Sequence, residues 1–268
     1  MLSMKRFISY FLLVIVNVLL LSGCNDSAEQ AVRCESHFKA KSYPIAVKYC
    51  QPAAQEGQAS AQYYLAMMYI SGDGLQQDRE LGYSWMKQAA EQGYEKAIFY
   101  DAVYQLISGK DKQQKIVAMK IMQGFADDGD PVAQYWMGNT FLFGYLDDTK
   151  SVNEAVYWYQ LAIKHQHYPA MNNLAWIKVS ASHTELFDPK EGLRLALLVA
   201  KKYPKSHGYL DTLAAAYAAN GEFIKAIELQ HKVIALAKKS GCEECQKFYL
   251  KHLEQYLQQK PLEEDLYK

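Results

Sequence analysis

The sequence predicts an all-α fold, an α/α superhelical solenoid of helix-turn-helix repeats. The first observation behind this is a returning phrase. Ala61-Gln62-Tyr63-Tyr64-Leu65-Ala66 reappears as Ala97-Ile98-Phe99-Tyr100-Asp101-Ala102 and as Ala133-Gln134-Tyr135-Trp136-Met137-Gly138, a period of about 36 residues. The second is a seam of small and large residues. Counting back from Gly57, Gly93, Gly129 and Gln166, which close successive units, pairs Ala46, Gly82, Ala118 and Ala155 at a small position. Tyr49, Trp85, Ile121 and Trp158 fall together at a bulky one. Close helix crossing requires the small side chain, and the large one fills the space beside it. The third is the placing of breakers, as in Ser71-Gly72-Asp73-Gly74, Ser108-Gly109 and Gly144. Two short helices per unit cannot bury their apolar stripes alone, so the units must stack.

From the N-terminus, Lys5-Arg6 precedes an apolar run from Phe7 to Leu20 and then Leu21-Ser22-Gly23-Cys24. The run is shorter than the ~20 residues a bilayer-crossing helix needs, and small residues precede the cysteine. This is the pattern of a bacterial lipoprotein signal. Residues 1–23 are expected to be removed, Cys24 to be acylated, and 24–30 to form the lipidated tether. Asn25 follows where an inner-membrane retention signal usually has aspartate. The expected location is therefore the outer membrane, facing the periplasm, with the inner membrane and the cell surface as alternatives.

Residues 31–166 carry the helical units. The chain has five cysteines, and four remain once Cys24 is lipidated. Cys34 and Cys50 are mirrored about the turn Lys41-Ser42-Tyr43-Pro44. Residues equally far from the turn of an antiparallel helix pair face one another, so a disulfide is expected to staple this first hairpin. An end repeat has a neighbour on one side only, which gives the staple a structural reason.

The unit with Ala61-Gln62-Tyr63-x-Leu65-Ala66, Tyr69, Gly72-x-Gly74, Asp78, Trp85 and Ala89-Ala90-Glu91-Gln92-Gly93 resembles a Sel-1-like repeat. The next two units are degenerate versions: Ser108 replaces the loop glycine in one, and His165-Gln166 replaces the terminal glycine in the other. Residues 167–240 look like the related tetratricopeptide repeat, most clearly in Leu210, Leu213-Ala214, Tyr217, Gly221-Glu222-Phe223 and Ala226. An earlier unit of that kind runs from Asn173-Leu174-Ala175-Trp176 through Asp188-Pro189 to Pro204, with a lengthened loop. Gln230 and Val233 stand where that family usually has an aromatic residue and an alanine, a departure at the outer seam of the unit. The resemblance covers about residues 31 to 240.

Residues 241–260 are expected to form a C-terminal capping helix, since Phe248-Tyr249, Leu253 and Tyr256-Leu257 recur at helical spacing. Cys242 and Cys245 at its start read as a structural bridge, with a redox pair as the alternative. Residues 261–268, with Pro261-Leu262-Glu263-Glu264-Asp265, read as a mobile acidic tail.

After loss of the leader, 27 basic residues face 29 acidic ones, and Lys201-Lys202 and Lys238-Lys239 sit at helix ends where the macrodipole favours cations. Nucleic acid is not an expected partner. His165-x-His167 reads as a solvated turn, and Asp127-Asp128, Asp130 and Asp147-Asp148 as turn and capping residues. The sequence has no Gly-x-Ser-x-Gly, phosphate loop or His-Glu-x-x-His. Neither a cofactor nor a metal is expected, and no catalytic residue is assigned.

In tetratricopeptide arrays the first helix of each unit lines the concave side. That resemblance places Tyr63, Met67, Phe99, Val103, Tyr135, Asn139, Asn172 and Trp176 near a partner-binding face, although an aromatic beside Leu65 also suits a core. Asp101 occupies a slot held by Leu65, Met137 and Leu174 elsewhere. It is either a packing flaw that turns to solvent or a neighbour, or an anchor for a basic group. The expected function is that of a membrane-tethered periplasmic scaffold for proteins or peptides in envelope assembly, export or secretion. Cysteine-rich relatives of the Sel-1-like family are linked to penicillin binding or hydrolysis, which makes a β-lactamase-like activity the rival. This chain lacks their regular cysteine pair in every repeat. A surface-exposed or secreted effector is the third reading.

Overall fold

The computed structural model describes residues 26–146 and 149–263, and all regular structure among them is helical. Helix α1 covers 26–39. It is followed by α2 (Tyr43–Gln55), α3 (Ala59–Ser71), α4 (Arg79–Glu91), α5 (Glu95–Ser108), α6 (Lys112–Asp127) and α7 (Pro131–Phe143). The remaining helices are α8 (Val152–Lys164), α9 (Tyr168–Ser180), α10 (Pro189–Lys202), α11 (His207–Ala219), α12 (Phe223–Lys239) and α13 (Glu243–Leu257). They pack in successive pairs, the arrangement of an α/α solenoid of repeats. Two compact units, Met1–Ile121 and Met122–Lys268, divide inside α6 rather than where the repeat type changes. Cys24, Asp147-Asp148 and residues 264–268 lie outside the described residues.

The turn chemistry follows the repeat. Gly57, Gly93 and Gly129 all have φ between 84° and 91°, and Gln166 takes the same left-handed region at 57°. Helix starts are capped by side chains. Asp78 Oδ1 accepts from Leu81 N at 3.0 Å, and Asp130 Oδ1 accepts from Val132 N and Ala133 N at 2.8 Å each. The glutamine of the repeated phrase is a second tie: Gln62 Nε2 donates to Ala54 O and Gln134 Nε2 to Ala126 O, both at 3.2 Å. Each thereby satisfies a carbonyl at the end of the preceding helix. Ile98 holds this slot in the degenerate unit and cannot make the bond.

The small positions are buried as the crossing requires: Ala46 and Ala155 have no exposed surface, and a Cβ on Gly82 would lie 3.0 Å from Ala66 O. The bulky seat is displaced by one residue from the sequence expectation. Trp158 is buried as expected, but Tyr49, Trp85 and Ile121 are half-buried, whereas Cys50, Met86, Met122 and Tyr159 are sealed in the core. The cause is helical geometry, because a residue four positions after the small one lies on the same face, one turn along.

In the first unit Cys34 and Cys50 are bonded, with Cα atoms 4.8 Å apart, joining α1 to α2. The core there contains Ala46, Cys50, Leu65, Met68 and Met86. In the second unit it contains Tyr159, Leu174, Leu195, Leu213, Val233 and Tyr256. The Cys242–Cys245 bridge, with Cα atoms 5.3 Å apart, closes the first turn of α13. Among the described residues no helix is long and apolar enough to cross a membrane.

Candidate binding groove

The second unit carries an open groove of about 510 Å³. Leu142 and Phe143 of α7, Asn172, Asn173 and Trp176 of α9, Asp211 and Thr212 of α11, and Phe248 and Tyr249 of α13 line it, with Lys150 at one side. These are the first helices of successive units together with the C-terminal helix. Phe143 and Phe248 are 56% and 48% exposed, so two large rings face solvent across an otherwise polar and aromatic surface.

Two hydrogen-bond networks hold the floor. Tyr159 Oη donates to Asn139 Oδ1 at 2.7 Å, and Asn173 Nδ2 donates to Asn139 Oδ1 at 3.0 Å and to Tyr159 Oη at 3.2 Å. Burial pushes the Tyr159 hydroxyl pKa up, and the hydroxyl therefore serves as a neutral donor. The second network centres on Asp211, which is 4% exposed. Its Oδ1 accepts from Gln230 Nε2 at 2.8 Å and pairs with His252 Nδ1 at 2.9 Å. Gln230 Nε2 also donates to Tyr249 O at 3.0 Å, and Tyr249 Oη meets His207 Nδ1 at 2.8 Å. Burial, and after it the Asp211 charge, push the Tyr249 hydroxyl up to about 12. Gln230 is thus the departure from the tetratricopeptide pattern that fixes the groove acid in place.

Of the positions expected at a partner face, Asn172 and Trp176 line the groove. Tyr63, Phe99 and Val103 are buried in the first unit, where the Tyr63 ring packs on Tyr64, Tyr94 and Tyr100. Asn139 is buried beneath the groove, as described. Met67 packs at the edge of the first core, and half-buried Tyr135 lies against the His167 ring at 4.9 Å. Close stacking of units turns these first-helix side chains toward neighbouring helices instead of leaving them on an open face. Phe143, Asp211 and His252 were not singled out from the sequence, and Phe248 was read only as part of the capping helix. The legible signal was Asp211, the sole carboxylate within the apolar helix α11.

Asp101 lies half-buried in α5, with Gln105 hydrogen-bonded to it and Lys87 and Glu91 nearby. Burial raises its carboxyl pKa, partly offset by the Gln105 bond. A raised folded value means stability that is present in acid and lost as pH rises through that value, so ionised Asp101 costs stability at neutral pH. Asp101→Leu is expected to raise the stability of the first unit by about 1 kcal/mol, read as a higher urea midpoint.

His167 is half-buried, and its Nδ1 accepts from Ala170 N at 3.3 Å as the N-cap of α9, whereas the exposed His165 ends α8. The pair is therefore not a wholly solvated turn, since stacked units shelter the second ring. Burial lowers the His167 pKa against a smaller opposing pull from Asp130. Above the unfolded value of about 6.5 the ring is neutral in both states; below it the unfolded chain takes the proton first. Stability is therefore lost as pH falls toward the depressed folded value. His167→Asn keeps a capping acceptor without titrating, and its Tm is expected to fall less than that of the parent between pH 8 and pH 5.

Among the described residues no group of three or more His, Cys, Asp or Glu side chains is placed to hold a metal.

The family profile described as Sel1 repeat matches residues 59–94 and 131–167. The crystal structure of a Sel1 repeat protein from Oxalobacter formigenes is similar over 86% of this chain and 96% of its own, at 22% identity and a TM-score of 0.55. The structure of c5321, a protective antigen present in uropathogenic Escherichia coli strains and displaying an SLR fold, is similar over 88% of this chain at 18% identity and a TM-score of 0.55. The match spans 50% of c5321. No curated protein matches the chain in sequence. Helix pairs of this kind are typical of protein–protein interaction scaffolds. With its recurrent Ala-Gln-Tyr phrase, turn glycines and paired helices, the chain carries Sel1 repeats at residues 59–94 and 131–167 and is similar in fold to Sel1 repeat structures.

Proposed function

We propose that the protein is a membrane-tethered periplasmic adaptor that holds protein or peptide partners in the groove of its second unit, in envelope assembly, export or secretion, with no chemistry of its own. The observation that carries this reading is the groove itself. Its volume falls in the range of small-ligand and side-chain clefts, and exposed Phe143 and Phe248 supply rigid area that costs little rotamer entropy when buried by a partner. The tether rests on Lys5-Arg6, the apolar run and Cys24. Cys34–Cys50 and Cys242–Cys245 at bonding distance suit an oxidising compartment.

A photocrosslinking amino acid placed at position 143 or 248 in living cells is expected to capture discrete protein adducts. The same group at Ile224, which is exposed on α12, serves as the control. Equal capture at all three positions would remove the groove from the account. Processing unaffected by globomycin would remove the lipid tether.

A further inference from the structure

We propose that this groove seats a cationic side chain, the guanidinium of Arg or the ammonium of Lys, from a protein partner, on Asp211 Oδ2 among the rings of Trp176 and Phe248. The inference rests on the groove being a partner site and names the chemistry that it selects.

Asp211 is the reason. A carboxylate 4% exposed is costly to bury unless its oxygens are matched by donors. Gln230 and His252 both serve Oδ1. No hydrogen bond among the described residues reaches Oδ2. Nor does Oδ2 share the sealed, unpartnered condition of Gln134 Oε1, Asn172 Oδ1, Ser182 Oγ, Gln230 Oε1 and Tyr256 Oη. One oxygen of a fixed buried acid is therefore idle and reachable from the groove that Asp211 lines.

The surroundings favour a cation there. The His252 imidazole that bonds Asp211 stacks on Trp176 at 5.9 Å and meets Phe248 edge to face at 4.3 Å. Both rings thus lie one imidazole away from the carboxylate, and both line the same groove. A buried carboxylate attracts ammonium and guanidinium groups by charge, and aromatic rings lining the same groove add the pull of their quadrupoles.

The opposing charge is Lys150, the only other charged side chain that lines the groove among the described residues. It is exposed on a flexible stem, so water and salt screen it. The acid is buried and immobile, and its interaction with a ligand is screened far less. Asp211 therefore sets the sign of the site, and Lys150 modulates it.

The test uses the mature full-length protein and four peptides, acetyl-Leu-X-Leu-amide with X as Arg, Lys, Gln or Glu, titrated by calorimetry. Arg and Lys are expected to bind about tenfold or more tightly than Gln, with Glu weakest. Asp211→Asn preserves an oxygen for Gln230 and His252 and removes the charge, so the Arg and Gln peptides should become equal. Should that variant fail to fold by circular dichroism, two exposed positions carry the test. Lys150→Glu should strengthen the Arg peptide, and Phe248→Ser should weaken it. A preference for Glu, an Arg preference that survives in folded Asp211→Asn, or indifference to Lys150→Glu would overturn the cation assignment while leaving the groove as a peptide site. Absence of binding by every peptide would overturn both.

Discussion

Replacing Tyr159 by alanine is expected to destabilise the second unit by about 4 kcal/mol, since truncating a fully buried aromatic side chain removes its transfer energy and leaves a cavity. Its Tm should fall by roughly 10 °C. Tyr159→Phe keeps the ring and loses only the hydroxyl that serves Asn139 and Asn173, an effect of about 1 kcal/mol. The facing residue supplies an independent check. A Cβ on Gly138 would stand 2.4 Å from Tyr159 Cε1, far inside the contact distance of two non-bonded carbons, so Gly138→Ala should cost about 2–3 kcal/mol by overpacking. Combining Gly138→Ala with Tyr159→Leu removes the ring that the new methyl strikes. The pair should therefore cost clearly less than the sum of the single changes in thermal denaturation. Additive costs would show that the two side chains do not share this space.

The repeat made the fold legible because its signals are local and recur. Gly57, Gly93 and Gly129 mark left-handed turns, and Gln166 adopts the same backbone despite its side chain, so the register could be followed through a degenerate unit. Position within a helix face was harder to read. Trp85 and Ile121 are large and apolar, yet Met86 and Met122 fill the sealed seat, because the rotation of each helix is decided by its neighbours and not by its own most apolar residue.

The site was legible only in part, for a related reason. Asn172 and Trp176 were found through their helix position, whereas Tyr63 and Phe99 occupy corresponding first helices and are buried. The difference lies in what covers each surface, which is a tertiary fact. Phe248 belongs to α13, whose spacing announces a cap; that the cap also forms a groove wall depends on α13 docking beside α11 through His252 and Asp211. Gln230 appeared as a flaw in the repeat pattern because only the folded chain brings it to Asp211 and to the Tyr249 carbonyl.

The two disulfides should differ widely in what they contribute. Cys34 and Cys50 are 16 residues apart, and closing a loop of that length removes unfolded-state entropy equivalent to about 3 kcal/mol at 25 °C. Cys242 and Cys245 are three residues apart, for which the same relation gives roughly 1.6 kcal/mol, in a turn where Cys245 N also bonds Cys242 Sγ at 3.3 Å. Replacing Cys34 and Cys50 together by alanine should therefore lower the stability of the first unit by about 3 kcal/mol, beyond the small loss of sulfur packing. Both sulfurs are fully buried, so serine would add the cost of an unmet hydroxyl and confuse the comparison. The measurement is urea unfolding followed by probes specific to each unit, because a chain with two compact units need not melt in one step. A loss confined to the first unit's transition, and reproduced by reductant on the parent protein, is the expected result. If the Cys242 and Cys245 replacement had the larger effect on its own unit, loop closure would not be what these bridges contribute, and the shorter one would have to act through the docking of α13.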